Sequence, residues 1–307
     1  MVKTLYISDL DGTLLDGDSR ISSETVSLLN PLLDAGLAFT VATARTPATV
    51  VPMLSRLHTR LPFIVMNGAA TWDAAKGDYS HVNVIEPHTV NAICRIYARH
   101  GIQPFVYRRY GRLIQAHHIG QMSAQEEAFV AERQHLELKK FVLDSPPHEQ
   151  CTADAMLIFS MQNYERLRPV YEQVKAEVDC AAVFYHDIFD PGAGLLEIYA
   201  PGVSKATAVQ RMKAEVGAEQ LVVFGDNRND IPMMQVATRS VAVENAFPEV
   251  KAIANEIIPP NTTHAVAHYI ARHPEPVKKI YFEGKLWGLW RICIFVGEKY
   301  ILFLFII

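Results

Sequence analysis

Residues 9–14, Asp9-Leu10-Asp11-Gly12-Thr13-Leu14, follow directly on the apolar run Leu5-Tyr6-Ile7-Ser8. The run predicts a short buried strand. Two acids followed by a glycine then set negative charge where a strand ends and the chain turns sharply. Taken alone, the pattern fits an Asx-type turn with two solvated carboxylates equally well, so its surroundings decide. Ser22 or Ser23 can cap a helix that ends near Gly36 and is kinked at Pro31. Residues 37–42 form a second buried run, Thr46-Pro47 opens another helix, and residues 63–66 form a third strand. Strands separated by helices predict parallel βαβ units. The rhythm returns late: a helix over 204–216 closed by Gly217, a strand over 221–224, a helix near 231–236, a strand over 240–243 and a helix after Pro248. The two blocks are expected to build one sheet.

Between them, from about Trp72 to Gly194, the pattern changes. A hairpin over 105–116 turns at Tyr110-Gly111, a polar helix covers 123–138, and strand, helix, strand follow over 156–187. This predicts an inserted α+β domain, tolerated because the ends of a surface loop stay close together. The expected fold is α/β, a Rossmann-like doubly wound parallel sheet with this insertion as a cap. Its parts are a core over 1–80 and 195–275, a cap over 81–194, and an apolar extension over 276–307. The length of 307 residues agrees with about two domains.

Net charge is −4, from 29 basic and 33 acidic residues. That lacks the basic face a nucleic-acid binder needs. Cys94, Cys151, Cys180 and Cys293 form no CxxC pair, so neither a disulfide framework nor a thiolate zinc site is expected. The reading is a reduced, cytoplasmic protein with no secretion signal. At the C-terminus Arg291, Glu298 and Lys299 interrupt an apolar run, which predicts a packed hairpin rather than a membrane span. Oligomeric state is left open.

A second acidic cluster, Gly225-Asp226-Asn227-Arg228-Asn229-Asp230, follows the strand at 221–224. If both strands share one parallel sheet, both clusters lie at its carboxyl edge, where open α/β sheets bind ligands. Several acids there need a cation, and oxygen ligands without His or Cys fit Mg²⁺. Thr43 with Arg45 ends the second strand, and Lys205 opens the helix at Ser204. A hydroxyl, a helix start and an ammonium suit a phosphate. Histidines at 117–118, 186, 264 and 268 form no convergent zinc group by sequence. Residues 107–110, Tyr-Arg-Arg-Tyr, read either as a substrate contact or as a solvated hairpin edge.

DLDGTLL at 9–15, Thr43 in VATAR, Lys205 in GVSKATAV and GDNRNDIPMM at 225–234 resemble the four motifs of the haloacid dehalogenase-like superfamily. Asn67-Gly68-Ala69 and the stretch at 240–254 narrow the resemblance to its Cof-type sugar-phosphatase branch. Ala44 departs from the usual Gly, residues 259–266 replace a more acidic stretch, and nothing beyond His273 corresponds. The resemblance implies a Mg²⁺-dependent phosphatase acting on a small phosphorylated metabolite, a sugar phosphate or a phosphorylated cofactor. In it Asp9 is the nucleophile and Asp11 the acid and base. Asp9, Asp226 and the Asp11 carbonyl bind the metal. Thr43, Lys205 and Asn229 bind phosphate, Asp230 supports Lys205 or a metal-bound water, and Arg45, Asn67 and Gly68 lie toward the substrate. A phosphomutase of the same superfamily, or a regulator that kept only the fold, are the alternatives.

Overall fold

The computed structural model describes residues 4–143, 153–186, 190, 192–273, 289–296 and 299–306. The chain divides into two compact units, Met1–Glu275 and Pro276–Ile307. In chain order the first holds β1 (Thr4–Ser8), α1 (Ser23–Asp34), β2 (Ala38–Val41), α2 (Pro47–Leu54), β3 (Phe63–Val65), β4 (Ala70–Asp73) and β5 (Asp78–Val82). There follow α3 (Pro87–Arg99), β6 (Phe105–Tyr110), β7 (Leu113–His117), α4 (Ala124–Arg133), β8 (Lys139–Val142), β9 (Ala155–Asn163), α5 (Tyr164–Glu177), β10 (Ala181–His186) and β11 (Ala193–Tyr199). The unit closes with α6 (Lys205–Val216), β12 (Gln220–Gly225), α7 (Ile231–Val236), β13 (Arg239–Val243), α8 (Pro248–Ile253), β14 (Glu256–Ile258) and α9 (Ala265–Arg272).

Five strands form one parallel sheet in the order β14-β13-β12-β1-β2. Leu5, Ile7, Phe39, Val41, Val223 and Val241 are fully buried in it, as continuous apolar runs covered on both faces require. The two early and late blocks therefore do share a sheet. Chain order reverses between β1 and β12, which makes their carboxyl ends the ligand crevice of such a fold.

The stretch at 63–66 departs from the expectation of a plain third strand. β3 joins the parallel sheet only through the bridge Ala42↔Ile64, and then pairs antiparallel with β4, which pairs with β5. Six further strands form a second sheet, β10-β11-β9-β6-β7-β8, antiparallel except for β7 with β8. The polar helix ends at Arg133 rather than 138, because a turn at Leu136 already feeds Lys139 into β8. Helix α1 runs through Pro31 to Asp34, capped by Ser22. Helix α6 has a capping box between Ser204 and Thr207 and ends on left-handed Gly217.

In the second unit β15 (Leu289–Val296) pairs antiparallel with β16 (Lys299–Ile306), the expected hairpin. No helix among the described residues is long and apolar enough to cross a membrane. Cys94 and Cys180 are free thiols, while Cys151 and the Cys293 side chain lie outside the described residues.

Candidate active site

Strand register brings the two acidic clusters together. Ser8 stands opposite Phe224, and the Asp9 N–H donates to the Phe224 carbonyl at 3.0 Å, so Asp9 and Asp226 leave adjacent strand ends side by side. Gly12, at φ +72°, lies so close to Asp226 that a Cβ there would meet its Oδ2 at 2.4 Å. Thr13 Oγ1 donates to Asp226 Oδ1 at 2.9 Å. The Lys205 ammonium, fully buried, donates at 2.6 Å to Asp9 Oδ1 and at 2.6 Å to Asp230 Oδ1. Asp230 Oδ2 accepts the backbone N–H groups of Asp226 and Asn227, both at 3.0 Å. Asp230 is thereby spent on Lys205 and on the loop. The β2 end brings in Thr43, whose hydroxyl accepts the Arg45 N–H at 3.1 Å. Arg45 grips Asp11 through two bonds of 2.7 and 2.6 Å.

Charge at this crevice is unbalanced. Carboxylate oxygens of Asp9, Asp226 and Asp230 lie within 4.8 Å of one another, and among the described residues Lys205 is the one cation bonded to them. Burial pushes the Asp9 carboxyl well up; Lys205 pulls it back, while Asp230 and Asp226 raise it further. Burial, then Asp230, pushes Asp226 up to about 7. Burial by itself would lower the Lys205 ammonium, but Asp230 and Asp9 outweigh it and raise it. Among the described residues the second oxygens of Asp9 and Asp226 have no hydrogen-bond donor. Two raised carboxyls with open oxygens are the donor set a hard cation takes.

Beside Lys205 a cavity of about 230 Å³ is lined by Asn67, Val183, Tyr199, Ser204, Arg228 and Asn229 among others. Asn229 and Asn67 join at 3.2 Å. Gly68 lies outside this lining and is pressed on the backbone before Lys205, where a Cβ would meet the Ser204 carbonyl oxygen at 2.4 Å. From the six-stranded sheet, Val183 and Tyr199 reach the cavity. Arg108 and Arg109 do not line it: Arg108 donates to the Ala153 carbonyl, and Arg109 to that of Gly111 and toward Asp78. The 107–110 segment is neither a lining of this cavity nor a solvated edge: it lies in β6, an interior strand between β9 and β7, with Tyr107 buried and Tyr110 exposed. His118 bonds Gln103, and His264 bonds Ser22. Sequence reasoning missed Glu197, buried in β11 and bonded to Asn67 at 2.9 Å. Its one local signal is an acid inside the apolar stretch Leu195-Leu196-Glu197-Ile198-Tyr199.

A parallel α/β sheet with acids converging at its switch point, a buried lysine and an inserted second sheet defines a phosphoryl-transfer type of hydrolase. The haloacid dehalogenase-like hydrolase family matches residues 6–270, and the chain belongs to that family. It is 25% identical over 294 residues to the pyridoxal phosphate phosphatase of Escherichia coli, covering 89% of this chain and 99% of that protein. It is 25% identical to the 5-amino-6-(5-phospho-D-ribitylamino)uracil phosphatase of Bacillus subtilis, covering 85% of this chain and 95% of that one. A crystal structure of a haloacid dehalogenase-like hydrolase from Bacteroides thetaiotaomicron shares the fold, with a TM-score of 0.71 at 20% identity, covering 89% of this chain and all of that one. The enzyme class is phosphatase.

Proposed function

We propose that the chain hydrolyses phosphate monoesters of small metabolites with the help of Mg²⁺, in two transfers through Asp9. The observation that carries this reading is the charge excess at the strand ends, three carboxylates against the single ammonium of Lys205. Asp9 and Asp226, each with an open oxygen, would hold Mg²⁺ together with the backbone carbonyl of Asp11. Bound there, the ion would neutralise charge that otherwise repels a phosphate dianion.

Asp9 attacks phosphorus in line, so that a carboxylate–phosphorus bond forms as the ester bond to the leaving oxygen breaks. Asp11 gives that oxygen its proton, then takes one from the water that cleaves the aspartyl-phosphate. Thr43, Lys205 and Asn229 hold the phosphoryl oxygens, while Asp230 keeps Lys205 aimed. Asp11 must leave the Arg45 grip to do this, which frees Arg45 for the substrate. The inserted domain, 81–194 by the sequence reading, closes over the site and excludes water. The names of both relatives specify phosphorylated small molecules, and the cavity beside Lys205 suits a small leaving group.

The test is phosphate release from p-nitrophenyl phosphate and a panel of phosphorylated metabolites, with Mg²⁺ or with EDTA. Release with Mg²⁺ alone is expected, and none from Asp9→Asn with any substrate. Retained Mg²⁺-dependent turnover by Asp9→Asn would overturn the covalent route. An isomeric phosphate with little free phosphate would mark a phosphomutase instead.

A further inference from the structure

The Asn67 amide stands between two partners of different kind. Its Nδ2 donates to Glu197 Oε2 at 2.9 Å, and its Oδ1 accepts from Asn229 Nδ2 at 3.2 Å. Glu197 belongs to β11, the last strand of the six-stranded sheet, and is only 6% exposed. Its carboxylate also accepts from the hydroxyls of Tyr199 at 2.8 Å and Tyr185 at 2.9 Å. Asn229 lies after β12 and shares a cavity with Lys205 and Asn67. The backbone under Asn67 is itself unusual: Met66 and Asn67 take φ +50° and +51°, a left-handed conformation that non-glycine residues adopt at a cost, and one that gathers at functional sites.

A carboxylate only accepts hydrogen bonds, whereas an amide has one donating and one accepting end. Facing Glu197, Asn67 must therefore turn its Nδ2 to the acid and its Oδ1 to Asn229. Asn229 must answer with its own Nδ2, whose second hydrogen is then available to a phosphoryl oxygen. A single hydrogen-bond direction runs from the six-stranded sheet to the phosphate site. We propose that Glu197 is a positioning residue of the phosphate site, acting through Asn67 to fix which end of the Asn229 amide is offered to substrate. The proposal rests on the phosphatase reading, and its assignment of Glu197 is separate from that of the nucleophile.

Glu197→Gln tests it, because Gln keeps the volume but has one accepting and one donating end, so it can no longer accept at both of the positions that face Tyr185 on one side and Tyr199 with Asn67 on the other, and the direction is no longer imposed. We expect kcat/KM on p-nitrophenyl phosphate to fall about tenfold, the size of loss typical when an outer partner of a ligand-holding group is removed. Binding of inorganic phosphate, read by calorimetry, should weaken by a similar factor, with the melting temperature nearly unchanged. Asn229→Ala should lose as much by itself, and adding Glu197→Gln to it should cost nothing more. Additive losses in the double variant, or wild-type phosphate binding by Glu197→Gln, would overturn the proposal. So would a loss matched only by a lower melting temperature. A wild-type protein that binds phosphate but releases none from any ester would overturn the hydrolase reading instead, and the phosphate-binding comparison would still decide the role of Glu197.

Discussion

Asp9 and Asp11 are two residues apart in the chain, yet their surroundings differ sharply. Asp9 is buried and bonded to Lys205, while Asp11 is part exposed and held by Arg45. Proton transfer by a placed side chain contributes roughly 10²- to 10⁴-fold in rate. Asp11→Asn keeps the nucleophile and the backbone carbonyl and loses only that transfer, so its deficit should depend on the leaving group. Alkyl phosphates, whose departing oxygen needs a proton, should lose most. An aryl phosphate should give a burst of phenol and then a slow steady state, visible by rapid mixing; equal losses on both substrates would show that Asp11 is no proton donor. The acids, Thr43 and Lys205 were legible in the sequence because each sits at a fixed offset from a strand or helix end. Glu197 was not, since its partner Asn67 is 130 residues away and the pairing exists only once the second sheet folds back.

The turn between β3 and β4 shows how a short element sets a site. Gly68, at φ +96°, lets Met66-Asn67-Gly68 press on the backbone just ahead of Lys205. In Gly68→Ala the new Cβ meets a carbonyl oxygen rather than a flexible side chain, so one of the two segments must move. That should cost about 1–3 kcal/mol in urea unfolding, the range for a disallowed backbone conformation. It should also lower kcat, because the start of α6 carries Lys205. A variant as stable and as active as wild type would show that the contact relaxes freely. Most strands and helices of the parallel layer were readable, since apolar runs bounded by caps and turns are local signals. The pairing of β4 with β5 was not: β5, Asp-Tyr-Ser-His-Val, is polar and only half-buried, and shows no apolar alternation. The early end of α4 escaped for the opposite reason, a polar stretch continuing in sequence past the turn that ends the helix.

Every group assigned to the site lies within Met1–Glu275, and the family match ends at residue 270. The last helix of that unit is part of its architecture. α9 packs on α1, Tyr269 meets Phe224 edge-on, and the Tyr6 hydroxyl donates to the His273 carbonyl at 3.0 Å, tying the end of α9 to β1. The hairpin of β15 and β16 forms a two-stranded sheet of its own, from Leu289↔Ile306 to Val296↔Lys299, in the second compact unit. A chain cut after residue 275 should therefore keep the kcat and KM of the full-length enzyme. A cut after residue 260 removes α9, including the fully buried Ala267 and Ile270. Deleting buried apolar side chains costs roughly 2–5 kcal/mol each for the larger ones, so this second truncation should fail to fold cooperatively. Circular dichroism melts and initial rates on the two truncations separate these outcomes. A folded 1–275 protein with reduced kcat would mean that the apolar extension contributes to turnover, although none of the residues assigned to the reaction lies in it.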